Sequence, residues 1–363
     1  MEKMEVNRNF WKGKRVFLTG HTGFKGGWLA LWLSGMGAEV YGYSLAPPTE
    51  FNFFNACNLQ AQLASSFISD MRDPARVAQA MHMARPDIVF HLAAQPLVRY
   101  SYSNPIETYA VNVMGTVNLL EAVRQTSSVK AVINITTDKC YENHGHSEPY
   151  RETDAMGGHD PYSGSKGCAE LVTATYRRSF LSSSGIHVAT ARAGNVIGGG
   201  DWATDRLIPD FLRALDSQQT LVIRSPNSIR PWQHVLEPIS GYLLLGEALL
   251  VHGSAFAEAW NFGPNLSDSQ TVQWIVKHLC DLTPDAKWQL AAGPQPHEAH
   301  TLTLDITKAR SRLGWQPRWI LATALQHILD WHKEWRAGQD MQSVSLKQIR
   351  EYSIAPSAVA GPS

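Results

Sequence analysis

The chain has 363 residues, 44% of them apolar, with 32 basic and 32 acidic side chains. That supports a substantial core, in one large domain or in one domain with a smaller second lobe. Zero formal charge argues against nucleic acid or an anionic membrane as partner, so an anionic ligand must be met by a few local Arg and Lys side chains.

In chain order, residues 15–19 read as a buried strand and residues 25–36 as a helix rich in Leu and Trp. A second strand follows at 38–44 and a short third at 67–70. Asp73-Pro74 opens a helix, with Asp as N-cap and Pro at the first helical position. Residues 87–91 form a fourth strand, and Asn104-Pro105 opens a long helix to about Gln125. Residues 130–136 are a fifth strand, Asp160-Pro161 opens another helix, and 187–192 is a sixth strand. This alternation predicts an α/β fold with a Rossmann-type, doubly wound parallel sheet covered on both faces. After Arg192 the run Gly198-Gly199-Gly200 and Pro- and Arg-containing stretches take over, with helices near 206–217, 236–251, 268–281 and 321–336. We read 1–192 as mainly the sheet domain and 193–338 as mainly a lobe over its C-terminal edge, with some elements returning to the main domain. Residues 339–363 read as a tail that adds no core.

Cys57, Cys140, Cys168 and Cys280 are widely spaced, with no Cys-x-x-Cys pair, so a reducing compartment is expected. The first eleven residues lack the apolar run of a signal peptide, and no apolar run approaches a membrane span. A cytoplasmic protein with no membrane partner follows as the expectation.

Thr19-Gly20-His21-Thr22-Gly23-Phe24-Lys25-Gly26 sits directly after the first strand and opens a helix. Glycine serves where a turn takes positive φ and where backbone must approach a pyrophosphate, and the helix N-terminus supplies free N–H groups. No Gly-Lys-Ser/Thr follows at Walker A spacing. These features make 1–192 a dinucleotide-binding domain. The second strand ends Tyr43-Ser44-Leu45 without a carboxylate to grip the ribose, so it does not separate NAD from NADP. Asp70, after the third strand, is placed either to hold the adenine amino group or to cap the loop. His21 is bulky for a tight turn and bears on how tightly a dinucleotide binds.

Tyr162 and Lys166 are four apart and share a helix face. A phenol near pKa 10 is a poor base at neutral pH, and a neighbouring ammonium lowers that value. Tyr162 can then take a hydroxyl proton as hydride leaves the carbon for nicotinamide. Small residues Ser163, Gly164, Ser165 and Gly167 allow close approach.

This arrangement resembles the extended short-chain dehydrogenase/reductase family over nearly the whole chain. The resemblance rests on the glycine turn, His91-Leu92-Ala93-Ala94, Tyr162 with Lys166, and Arg192-Ala193-Gly194-Asn195-Val196. It implies NAD as cofactor, held by Gly20, His21, Thr22, Gly23, Phe24, Lys25 and Gly26, by Ser44, Asp70 and Met71, by Leu92, Ala93, Ala94 and Gln95, and by Tyr162 and Lys166. The fifth strand ends Ile135-Thr136-Thr137-Asp138-Lys139. Epimerases of the family usually carry Ser-Ser with no acid following, whereas Thr137-Asp138-Lys139 resembles the triplet of nucleotide-sugar 4,6-dehydratases. Most of those have Glu third. Lysine there, with Tyr43-Ser44-Leu45, the run Arg230 to Val235 and His297-Glu298-Ala299, resembles the members that act on CDP-glucose. The implied reaction makes a 4-keto-6-deoxy sugar for deoxysugar biosynthesis, as in lipopolysaccharide O-antigens. A dTDP-, UDP- or GDP-linked sugar is the alternative, then 4-epimerisation or dehydrogenation.

The chemistry asks for these residue types. Oxidation at C4 acidifies the C5 proton, and loss of water across C5–C6 then needs a base for C5 and an acid for the C6 hydroxyl. Asp138 suits the acid if burial raises its pKa, Lys139 the base if it is neutral when it acts, and Thr137 a hydrogen bond to the substrate hydroxyl. The resemblance places Asn195 and Arg230 on the diphosphate, with Arg206 and His234 beside them and Arg99 near the mouth. Arg192 serves either the core or the nicotinamide side. Arg suits phosphate because its fork donates two hydrogen bonds. His297-Glu298-Ala299-His300 lacks metalloprotease spacing, and no metal is expected. Helices at 105–125 and 161–181 resemble those through which the family pairs, implying a homodimer or homotetramer.

Overall fold

The computed structural model describes residues 5–145, 148–292 and 302–358. Its central element is a seven-stranded parallel sheet. Six expected strands are present: β1 Arg15–Thr19, β2 Glu39–Ser44, β3 Ser65–Ile68, which starts two residues earlier than expected, β4 Ile88–His91, β5 Ala131–Ile135 and β6 His187–Ala193. The spatial order is Ala259–Phe262, β6, β5, β4, β1, β2, β3. Side chains alternate between two cores. Val16, Leu18, Phe90 and Ile133 enter one, and Phe17, Val89 and Val132 the other. A sheet buried on both faces explains the nearly unbroken apolar strands. The order reverses between β1 and β4, and the crevice outside the strand ends opens there.

Local signals set the helix starts. Asp73 and Asp160 accept hydrogen bonds from first-turn N–H groups, with proline just inside each helix. The long helix expected from Asn104 is broken into Pro105–Tyr109, a π turn Ala110–Met114 and Gly115–Arg124. The wide turn carries buried Asn112, which accepts from Gln95 N and donates to Ser165 Oγ.

Three sequence expectations are corrected. Ala259–Phe262 was not foreseen as a strand, yet it pairs with β6 and extends the sheet. The stretch Leu236–Phe256 does reach membrane-span length, with mean hydropathy 1.3. Its helix Leu236–His252 is apolar nearly all round because it is a core element, with Leu243, Leu245 and Leu249 packed in the cluster that holds Phe90 and Ile133. The segment after 338 does add core. Helix Met341–Ile354, capped by Asp340, buries Met341, Ser345, Ile349 and Tyr352, a helical stripe hidden by its polar composition.

Residues beyond β6 build a third core from Ile208, Phe211, Leu221, Ile275, Leu279 and Ile328. Short strand pairs frame it, Thr220–Ile223 with Lys287–Leu290 and Ile229–Pro231 with Ser269–Thr271. These elements face the strand ends across the cleft.

Candidate active site

A cleft of about 1340 Å³ runs from the glycine turn to the lobe. Gly20 has φ +77°, and a Cβ there would lie 2.8 Å from Ala93 N. A Cβ on Gly26 would lie 2.0 Å from Gly20 O. Neither position can carry a side chain. Helix Phe24–Gly35 starts at Gly23 without a side-chain cap, which leaves first-turn N–H groups for an anionic ligand. Leu92 N and Ala93 N donate to Thr19 Oγ1, stitching β4 to the turn. Ser44, Asp70, Met71, Leu92, Ala93 and Ala94 line the same wall. Thr22 Oγ1 donates to Leu45 O at 2.8 Å. The Asp70 carboxylate is gripped by Arg72, whose hydrogen bonds hold it below the usual range.

His21 and Gln95 depart from expectation. The His21 ring leaves the cleft, with Nε2 2.7 Å from Ser66 Oγ. It fills the space above Gly42, where a Cβ would lie 2.4 Å from the ring. Burial pushes its pKa down to about 4. Gln95 spends its amide on its own loop and on the helix Pro105–Tyr109, donating to Leu97 O and Thr108 Oγ1 and accepting from Leu97 N. Its side chain does not line the cleft.

The helix Pro161–Tyr176 is held at its start by Asp160, which accepts from Ser163 N at 2.9 Å and Ser163 Oγ at 2.6 Å. Tyr162 and Lys166 both reach the cleft from it. Burial pushes Tyr162 up to about 12, with its hydrogen bond to Thr137 opposing. Burial pushes Lys166 down to about 8, with Glu170 opposing, and its Nζ donates to Ile135 O at 3.2 Å. Thr137 Oγ1 donates to Asp138 Oδ1 at 2.9 Å. Asp138 is 2% exposed. Burial raises its pKa, opposed by Lys139, Thr137 and Arg230. Its Oδ2 has no hydrogen-bond partner and faces Gly194, where a Cβ would lie 3.2 Å away. Lys139 also lines the cleft. The arrangement joins the Tyr162 phenol to a buried carboxyl of raised pKa through one threonine.

Lys25, expected at the turn as a cofactor contact, lines the cleft within reach of the charges of Lys166, Arg206 and Asp138. Burial, then Lys166 and Arg206, push it down to about 7, with Asp138 opposing. Asn195, Arg206, Arg230 and Arg99 line the lobe side and mouth. Arg206 pairs with Asp201 at 2.9 Å and Arg99 with Asp205 at 2.8 Å. Arg224, which the sequence reading missed, also lines the wall 3.5 Å from Asp205. It follows the strand Thr220–Ile223, whose alternation is one of burial and not of sequence.

His234 does not reach the cleft. Its ring is buried against Trp28 and Trp319, its Nδ1 accepts from Leu236 N, and burial lowers its pKa well below the ordinary value. Arg192 is likewise a core residue, paired with Glu170 at 2.9 Å. All four cysteines are free thiols. No metal-binding group of His, Cys, Asp and Glu occurs among the described residues, and His297 to His300 lie outside them.

The sheet, the glycine turn and the Tyr162–Lys166 pair define a short-chain dehydrogenase/reductase of the extended type. Residues 17–328 match the family model described as GDP-mannose 4,6 dehydratase, and the chain belongs to this family of nucleotide-sugar 4,6-dehydratases. It is 53% identical to a CDP-glucose 4,6-dehydratase of Salmonella typhimurium, over 96% of this chain and 99% of that protein. A dTDP-glucose 4,6-dehydratase of Xanthomonas campestris is 25% identical over 92% of this chain and 97% of its own. Among solved structures, a dTDP-glucose 4,6-dehydratase of Streptomyces venezuelae with NAD bound superposes with TM-score 0.76 at 25% identity, covering 90% and 99% of the two chains. An epimerase of Methanothermobacter thermautotrophicus, at 23% identity and TM-score 0.78 over 91% and 95%, shares the fold.

Proposed function

We propose that the chain converts CDP-glucose to CDP-4-dehydro-6-deoxyglucose and water, with NAD as a cofactor regenerated in each cycle. The observation that carries this reading is Asp138, a buried carboxyl with an unpartnered oxygen, tied through Thr137 to Tyr162 in one cleft. The relative of Salmonella typhimurium, with its printed activity, supports the choice of sugar nucleotide.

The glycine cradle and uncapped helix start fit a dinucleotide pyrophosphate. When bound, NAD would supply the acceptor for the C4 hydride and, once reduced, the hydride for C6. Tyr162 takes the C4 hydroxyl proton while Thr137 hydrogen-bonds that oxygen. Burial, with Asp138 adding to it, pushes the phenol up to about 12 against the Thr137 hydrogen bond and the charge of Arg206, so further positive charge must offset it. Lys166 supplies part, in the same buried pocket. Lys139 removes the C5 proton made acidic by the C4 ketone, Asp138 protonates the C6 hydroxyl as it leaves, and Lys139 gives its proton back to C5 as hydride reaches C6. Arg206, Arg230, Asn195 and Arg99 meet the diphosphate.

The reading is tested by offering CDP-, dTDP-, UDP- and GDP-linked glucose with catalytic NAD. A 4-keto-6-deoxy product from CDP-glucose is expected. Stoichiometric NADH, or galactose, counts against it.

A homodimer through the Val98–Ser103 to Gly115–Arg124 helices and the Pro161–Tyr176 helix belongs to the same proposal. Tyr102, Ile106 (86% exposed), Tyr109, Met114 and Leu171 project from these helices as exposed apolar side chains. Light scattering should give two chains, or four if dimers pair; a monomer counts against the proposal. A cytoplasmic location is supported by the free thiols.

A further inference from the structure

Glu170 lies one turn beyond Lys166 and is fully buried. Both carboxylate oxygens are filled. Oε1 accepts from Thr136 Oγ1 at 2.5 Å and Arg192 Nε at 3.0 Å. Oε2 accepts from Thr190 Oγ1 at 2.8 Å and Arg192 Nη2 at 2.9 Å. Arg192 then donates through Nη1 to the Tyr141 hydroxyl at 2.8 Å, and that hydroxyl donates to Asn261 Oδ1 at 2.7 Å.

Thr136 and Tyr141 flank one short stretch. Thr137 follows the first, and the single 3-10 turn Asp138–Cys140 precedes the second. Both ends of the segment bearing Thr137, Asp138 and Lys139 are therefore tied to one carboxylate. That carboxylate sits on the helix that carries Tyr162 and Lys166.

Packing alone does not call for this. A buried ion pair can often be replaced by apolar residues without loss of stability. A bidentate pair does fix direction as well as distance. Direction matters here because C4, C5 and C6 are successive atoms of one sugar. An error near 1 Å between the oxidising pair and the acid can cost about 100-fold.

We propose that Glu170 and Arg192 are positioning residues for the elimination step. They set the Thr137–Lys139 segment against Tyr162 and Lys166, through Thr136 at one end and Tyr141 at the other. The inference rests on the 4,6-dehydratase reading.

Thr136→Val, Thr136→Ser and Tyr141→Phe test it with CDP-glucose and NAD in single turnover, following reduced nicotinamide and keto-sugar together. Thr136→Val keeps the β-branched shape of the strand end and removes one donor of four. Elimination should slow roughly 10- to 100-fold and C4 oxidation, in which Thr137 shares only a hydrogen bond, should slow much less, so reduced nicotinamide builds up. Thr136→Ser should restore the wild-type time course. Tyr141→Phe should show the same build-up, and it carries the test if Thr136→Val does not fold. Equal slowing of both steps in the folded variants overturns the inference, as does an unchanged time course or failure of serine to restore it. Wild type runs beside the variants. If wild type makes no keto-sugar, the dehydratase reading itself falls; if it does and the variants match it, only the positioning role falls.

Discussion

Asp138→Asn separates elimination from oxidation. The carboxyl is buried, accepts from Thr137 at 2.9 Å and leaves Oδ2 without a partner beside Gly194. An amide keeps the shape and the Thr137 bond but cannot release a proton. A positioned general acid contributes about 10²- to 10⁴-fold, or about 3–5 kcal/mol of barrier. C4 oxidation makes no use of that proton and should fall far less. Reduced nicotinamide should therefore accumulate in a single turnover watched by stopped-flow absorbance. The pH sign follows from the direction of the shift. Burial raises the Asp138 pKa, and the protonated form is the working one. Wild-type elimination should hold on the acid side and fall as pH rises through the raised value. In the amide variant that alkaline limb should vanish. Equal loss of both steps, or a limb that survives the substitution, would refute the acid role.

Three further outcomes are expected. Tyr162→Phe removes the proton acceptor and should slow C4 oxidation about 10²- to 10⁴-fold with no burst of reduced nicotinamide; a normal burst contradicts its role. Glu237, buried and bonded to Trp319 N and Tyr352 Oη, is pushed up from 4.5 to about 7 by burial. Its folded form holds the proton more tightly, so its contribution is full below the unfolded value and is lost as pH rises through about 7. The slope is at most about 1.4 kcal/mol per pH unit. Denaturant titrations should show that decline, and Glu237→Gln should flatten it; an unchanged slope excludes Glu237 as its source. Gly42→Ala drives a Cβ into the His21 ring and should cost about 1–3 kcal/mol. His21→Ala in the same chain should recover most of it, whereas simple additivity in the double-mutant cycle would show that the clash is not the cause.

The parts of the fold that were legible in the sequence are those decided locally. Asp73-Pro74 and Asp160-Pro161 carry their own caps, and the six apolar runs needed no distant partner to be read as strands. Ala259–Phe262 was not legible, because four residues including buried Asn261 become a strand only against the edge of β6. Helix Met341–Ile354 was masked by its average polarity, and its inward stripe gains meaning only from the core beside Trp32.

The site divides along the same line. Tyr162 with Lys166 stood out by spacing together with the glycine turn, Thr137 with Asp138 by resemblance, and the structure brings all four to one cleft. Resemblance carries a position along the chain but not the direction of a side chain. His21 turns inward because Gly42 leaves room, and His234 because Trp28 and Trp319 enclose it. Each deciding neighbour is distant in sequence. Burial holds both imidazoles neutral at physiological pH, so neither can offer the positive charge that a diphosphate requires. Arg206 and Arg230 keep theirs and reach the cleft. A side chain therefore qualifies for the anion only if its charge survives the environment that its direction selects.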